Sequence, residues 1–289
     1  MFRLAPILLL ALAPPGNAAD PAPPSDELRE AFALDPHYRK ALTVEGFPIV
    51  ASEKVPDAAL QEAAAIIRNM LGGRPDILRK LAENQVRLGI MAVSERTCDL
   101  PEHADLEPPA YWNRRARGLG ASRRRPCVSC GEENLLHNPG DPYSTESIMI
   151  HEFAHAIHEM AVKHLDPSFD RRLEAAYDAA MEKGLWKDLY AAENHHEYWA
   201  EAVQSWFDTN RENDAIHNHV DTREELLEYD PALAALCREV FGDNEWRYVR
   251  ADDDSRMGEL HLRNLDRSKL GAFSWTKEEQ EAYDALEDR

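Results

Sequence analysis

After the first few residues this chain has no apolar run approaching the roughly 20 residues needed to cross a bilayer, so no membrane span is expected. It is short of basic residues: 33 Lys and Arg stand against 53 Asp and Glu, a formal net charge of −20. A surface that acidic repels phosphate backbones and anionic lipid, which sets aside nucleic-acid and membrane-surface binding. Only four cysteines occur: Cys98, Cys127, Cys130 and Cys237. Cys127-Val128-Ser129-Cys130 is the one C-x-x-C, so a four-thiolate zinc site would have to recruit Cys98 and Cys237 from distant points. Nor is there an internal repeat, or a low-complexity stretch beyond a Pro-rich polar segment at 20–27.

What is present first is a short N-terminal signature. Met1-Phe2-Arg3 is a basic start, 4–13 is apolar, Pro14-Pro15-Gly16 breaks the run, and Asn17-Ala18-Ala19 supplies small residues for cleavage. That is the order of a secretory signal peptide over residues 1–19, which implies a secreted or periplasmic protein. In an oxidising compartment the cysteines are expected in disulfide bonds, the pairing left open. The remaining length suits a globular core, read as a leader over 20–45 and a catalytic domain over 46–289.

The pattern predicts an α+β, mostly helical domain with a small sheet ahead of a central helix. Strand signals fall at 47–51, 86–93 and 126–129. Helical periodicity runs over 57–71 and 75–83, and again over 145–163, 168–183, 193–208, 222–228 and 231–240. Residues 98–143 read as a long loop. Within it Arg114, Arg115, Arg117 and Arg123 to Arg125 are the one basic concentration. A solvated loop is expected there; contact with an acidic substrate or an internal acidic face is the alternative.

The chemistry begins at His151-Glu152-Phe153-Ala154-His155, an H-E-x-x-H sequence. Residues four apart on a helix lie about 40° apart, so both imidazoles can reach one ion. Neutral imidazole suits zinc, and Glu152 beside them can take a proton from a metal-activated water. Ser144 or Thr145 is the expected N-cap. Ile150, Phe153, Ala154, Ile157 and Met160 form a buried stripe, so the histidines sit on a core helix. No H-x-x-G-x-x-H extension follows to supply a third histidine. His158, seven residues after His151, is given a packing role or the task of steadying a ligand.

A catalytic zinc needs three protein ligands and an open position. The best third donor lies in 193–201, on a helix whose apolar side is Trp199, Ala202, Val203, Trp206 and Phe207. Glu197 and Glu201 share a face there. Two carboxylates on a half-apolar helix are costly unless a cation meets them, one as ligand and the other orienting an imidazole.

H-E-F-A-H followed by E-Y-W-A-E resembles the gluzincin metallopeptidases, in particular the catalytic domain of anthrax lethal factor and its relatives, where H-E-F-G-H precedes E-F-F-A-E. The resemblance covers these two motifs and one tyrosine within 151–201, and Ala154 stands where the family has glycine. It implies Glu197 as the third zinc ligand, beside His151 and His155, and Glu201 as a residue behind the ligands. It also implies Tyr190, seven residues before Glu197, as the group that stabilises an oxyanion. The expectation is one zinc ion per chain and a peptide or protein substrate. A non-catalytic, metal-stabilised binding module and a zinc hydrolase of a non-peptide amide or ester are the alternatives.

Overall fold

The computed structural model describes residues 20–287. The expected export segment, residues 1–19, lies outside them. The described residues form an α+β structure, largely helical, around one five-stranded mixed sheet. Helix α1 (Asp26–Phe32) precedes a hairpin of β1 (Lys40–Val44) and β2 (Phe47–Ala51). Helices α2 (Asp57–Leu71) and α3 (Pro75–Glu83) then cross over to β3 (Arg87–Met91). Next come α4 (Pro109–Arg115), the short β4 (Gly118–Leu119), β5 (Cys127–Gly131) and α5 (Glu132–Leu136).

The sheet order is β1-β2-β3-β5-β4, with β2, β3 and β5 parallel and each outer strand antiparallel to its neighbour. Every residue of β2, β3 and β5 is buried, as expected of parallel strands covered on both faces. Strand alternation sends Phe47, Ile49, Leu88, Ile90, Val128 and Cys130 into the main core. Val50 and Met91 face a smaller core built with Phe32, Leu34, Tyr38 and Leu100. Residues 20–45 are therefore no leader: β1 completes the sheet, Ala22 bridges to Ala41, and Phe32 and Leu34 close the second face. The Pro-rich composition of 20–27 hid a segment that supplies apolar cover.

The alternation also bears on one pair of cysteines. Cys127 and Cys130 are an odd number of residues apart on one strand, so their side chains leave opposite faces. All four cysteines are unpaired in the described structure. The stretch 98–143 likewise holds regular elements, among them β4 and β5. Arg117 is fully buried and pairs twice with Glu133, Nε to Oε1 at 2.7 Å and Nη2 to Oε2 at 2.9 Å, which answers to the internal acidic face. Arg124 and Arg125 remain outside, on Asp105.

Helix α6 (Ile148–Ile157) continues into a π-helical turn, His158–Val162, and a final turn α7 (Lys163–Leu165). Its cap is Ser147, later than the sequence suggested. The Ser147 hydroxyl accepts from Ile150 N, while Asn134 Oδ1 takes up Ile148 N at 3.0 Å. Helix α8 (Phe169–Glu182) leads to α9 (His195–Trp206), capped by Asn194, whose side chain accepts from His196 N and Glu197 N. Helices α10 (Arg223–Tyr229), α11 (Pro231–Phe241) and α12 (Lys277–Glu287) complete the order. Among the described residues no helix is long and apolar enough to cross a membrane.

Helix α9 lies against α6, and Trp199 sets the register between them. Its ring is fully buried and its Nε1 donates to Ala154 O at 2.9 Å. Removing so large a buried side chain costs about 3–5 kcal/mol and would free the two helices to slide.

Candidate metal centre

The i, i+4 spacing on α6 brings His151 and His155 to one point, and α9 delivers Glu197 to the same point. His151 Nε2 lies 3.2 Å from His155 Nε2 and 3.1 Å from Glu197 Oε2, and His155 Nε2 is 3.3 Å from that oxygen. These three atoms form a nearly equilateral triangle. An ion with tetrahedral bonds of about 2.0–2.2 Å spaces its donors by about 3.3–3.6 Å, so the triangle is close to one face of such a site. Two nitrogens and one carboxylate oxygen are also a donor set that a borderline-soft dication takes. The group can therefore hold a metal.

The surroundings prepare His151 for that role. Its Nδ1 faces Gln204 Oε1 at 2.7 Å. The amide of Gln204 is itself fixed, because its Nε2 donates to Glu146 Oε2 at 2.9 Å. Gln204 Oε1 thus accepts from Nδ1–H, and in the neutral ring the Nε2 lone pair is aimed at the triangle. Burial alone would lower the pKa of His151. The hydrogen bond with Glu197 and the fields of Glu152, Glu201 and Glu197 outweigh it and lift the pKa to about 10. Hydrogen bonds from His151 and His155, with their charges, hold Glu197 well below the usual carboxylate range, against its own burial. Such a concentration of anionic charge is neutralised by a proton or, better, by a dication.

Glu201 is buried on the same face but does not make the close contact with His151. Its Oε1 stands 3.6 Å from Nδ1, while Oε2 accepts from Asn210 Nδ2 at 3.1 Å and lies 3.4 Å from His217 Nε2. His217 in turn holds Asp214 at 2.8 Å through Nδ1. The imidazole-orienting task expected of Glu201 therefore falls to Gln204, and Glu201 anchors the segment that carries Asn210, Asp214 and His217. Gln204 escaped the sequence reading, although it lies seven residues beyond Glu197 and hence on the same face.

Of the two roles expected of His158, packing or steadying a ligand, the structure shows the packing one. Seven residues of helix carry His158 about 10 Å along the axis from His151. It is fully buried, and its Nε2 meets Asp170 Oδ1 at 2.9 Å. It packs beside Phe169, His195, His196 and Trp199 and steadies none of the triangle's donors.

Glu152 and Tyr190 reach the same cavity as the triangle. This open cleft, about 720 Å³, is lined by His151, Glu152, His155, Tyr190, Glu197 and residues 118–121, among others. Burial pushes Glu152 above the usual carboxylate range, against the opposing pull of His151 and His155. The Tyr190 ring sits 6.2 Å from that of His151 and 6.3 Å from that of His217. Burial, then the carboxylates of Glu197 and Glu152, push its phenol up, so it remains a protonated donor. Above α6 run the edge strand β4 and the residue after it, where Gly118 and Gly120 leave no room for a side chain. A Cβ on Gly118 would lie 2.9 Å from Glu152 Cγ, and one on Gly120 would lie 2.9 Å from His155 Cβ.

No protein-family model matches the chain, and no curated protein matches it significantly.

Proposed function

We propose that the protein is an exported, zinc-dependent metallopeptidase of gluzincin type. The observation that carries the reading is the triangle of His151 Nε2, His155 Nε2 and Glu197 Oε2, with edges of 3.1 to 3.3 Å, opening onto a cleft shared with Glu152 and Tyr190. A zinc ion held there supplies Lewis acidity toward a carbonyl and lowers the pKa of water.

The chain's own groups supply the rest. Glu152 accepts the proton of the attacking water and passes it to the departing amine. Tyr190 donates to the oxygen on which negative charge develops. Gln204 keeps the His151 ring in its ligand tautomer. An extended peptide can pair with the outer edge of β4, whose other edge is taken by β5. Because Gly118 and Gly120 pack on Glu152 and His155, that edge holds a scissile bond close to the chemistry. Glu152 and Tyr190 favour an enzyme over a binding module, since neither is needed merely to retain a metal.

Digestion of a peptide library tests this. The wild-type protein should cleave a subset of peptides, lose the activity to a chelator and regain it with zinc. Cleavage that survives complete metal removal, or no cleavage of any peptide by zinc-loaded protein, would sink the reading.

A further inference from the structure

A second group of donors lies on the same two helices. His158 and Glu159 belong to the π turn that ends α6, and His196 is in the first turn of α9. The donor atoms of the three residues lie within 4.8 Å of one another. Glu159 Oε1 is 3.8 Å from His158 Nδ1 and 3.3 Å from His196 Nδ1. Each of these atoms is buried and has no hydrogen-bond partner among the described residues. Unpartnered buried polar atoms are rare, because each forfeits its hydration without return. Here three of them face one point.

The other ends of the His158 and Glu159 side chains are both engaged. His158 Nε2 is held by Asp170 Oδ1 at 2.9 Å, which places the proton on Nε2 and the lone pair on Nδ1. Glu159 Oε2 accepts from Lys163, leaving Oε1 free. His196 is fixed through its backbone N, which donates to Asn194 Oδ1 at 2.9 Å. A third acid–histidine group, Glu62, Glu259 and His261, shows the contrast. There Arg256 donates to both oxygens of Glu62, at 2.7 and 2.8 Å, and a guanidinium already does what a cation would.

We propose that His158 Nδ1, Glu159 Oε1 and His196 Nδ1 form a second cation site, for a zinc-class dication, that ties the π turn of α6 to the start of α9. Two imidazoles and one carboxylate suit such an ion, and π turns recur at functional sites. The site joins the two helices that carry the first triangle, and His196 is the chain neighbour of Glu197. The ion would lock the position of Glu197 relative to α6, and its effect on stability is independent of any peptidase activity.

Titration of zinc into chelator-stripped protein, read by calorimetry and by melting temperature, tests this in wild type, His155→Ala, His196→Ala and the double variant. Wild type should show two binding phases. His155→Ala should lose one and keep the other, together with a zinc-induced rise in melting temperature. His196→Ala should weaken the second phase by more than the 10–100-fold typical of changes behind the ligands, and the double variant should lose both. Glu159→Gln provides a milder change, and melting temperatures without metal show whether each variant folds. Wild-type zinc uptake in both His196→Ala and Glu159→Gln overturns the proposal. A single phase lost in His196→Ala but kept in His155→Ala upholds it while sinking the peptidase site.

Discussion

The two histidine clusters share their helices but differ in construction. At the first, the donors are four residues apart on a regular α-helix and open onto a cleft of about 720 Å³. At the second, two donors, His158 and Glu159, are chain neighbours in a π turn that faces His196 on α9, and the ring of His158 is enclosed by Phe169, Trp199 and two histidines. The outer nitrogens differ as well. His151 is held by a neutral amide, Gln204, with the nearest acidic oxygen at 3.6 Å, whereas His158 is held directly by the carboxylate of Asp170. A carboxylate makes its imidazole a stronger donor, and a neutral partner leaves more Lewis acidity on the ion. The first arrangement favours chemistry and the second favours retention.

The largest effect should come from Glu152→Gln, which keeps the shape and leaves every donor of both clusters in place. Turnover should fall by about 10²–10⁴-fold while metal content stays at the wild-type value, measured by kinetics and elemental analysis together. Equal turnover in the variant would mean that the cleft is not where the chemistry occurs. Tyr190→Phe comes next, with a loss of about 10²–10³ in kcat, little change in KM and the metal retained. A change confined to KM would make Tyr190 a substrate contact only. The smaller effects separate the two clusters. Gln204→Ala and Asp170→Ala should each weaken zinc by about 10–100-fold in competition titrations, but in different phases. If both act on one phase, the clusters are a single coupled site.

Periodicity and turn chemistry made much of this legible. The strands at 47–51 and 86–93 and the helices at 57–71 and 75–83 were readable because their apolar residues repeat at one clear period. H-E-x-x-H and the Glu197 face were readable because four-residue spacing on a helix is geometry in itself. The first strand was hidden by a Pro-rich approach, and β4 by having only two residues, too few for any period. Gln204 and Asp170 were hidden for another reason. Their partners are 53 and 12 residues away, and no local pattern encodes which side chain will meet an imidazole's far nitrogen. Arg117 looked like one arginine among several until Glu133, 16 residues on, closed around it.

The free thiols carry a practical consequence. Cys127, Cys130 and Cys237 are wholly buried, and burial pushes all three thiols far above their ordinary range, so they are inert to oxidants and alkylating reagents while the core is shut. Cys98 is partly accessible, but burial, with Asp99 and Glu107 nearby, raises it to about 11, which makes it slow as well. The native protein thus carries its own clock of opening. The rate at which the three hidden sulfurs take up a label counts excursions of the sheet and of α11, with no probe added to the chain.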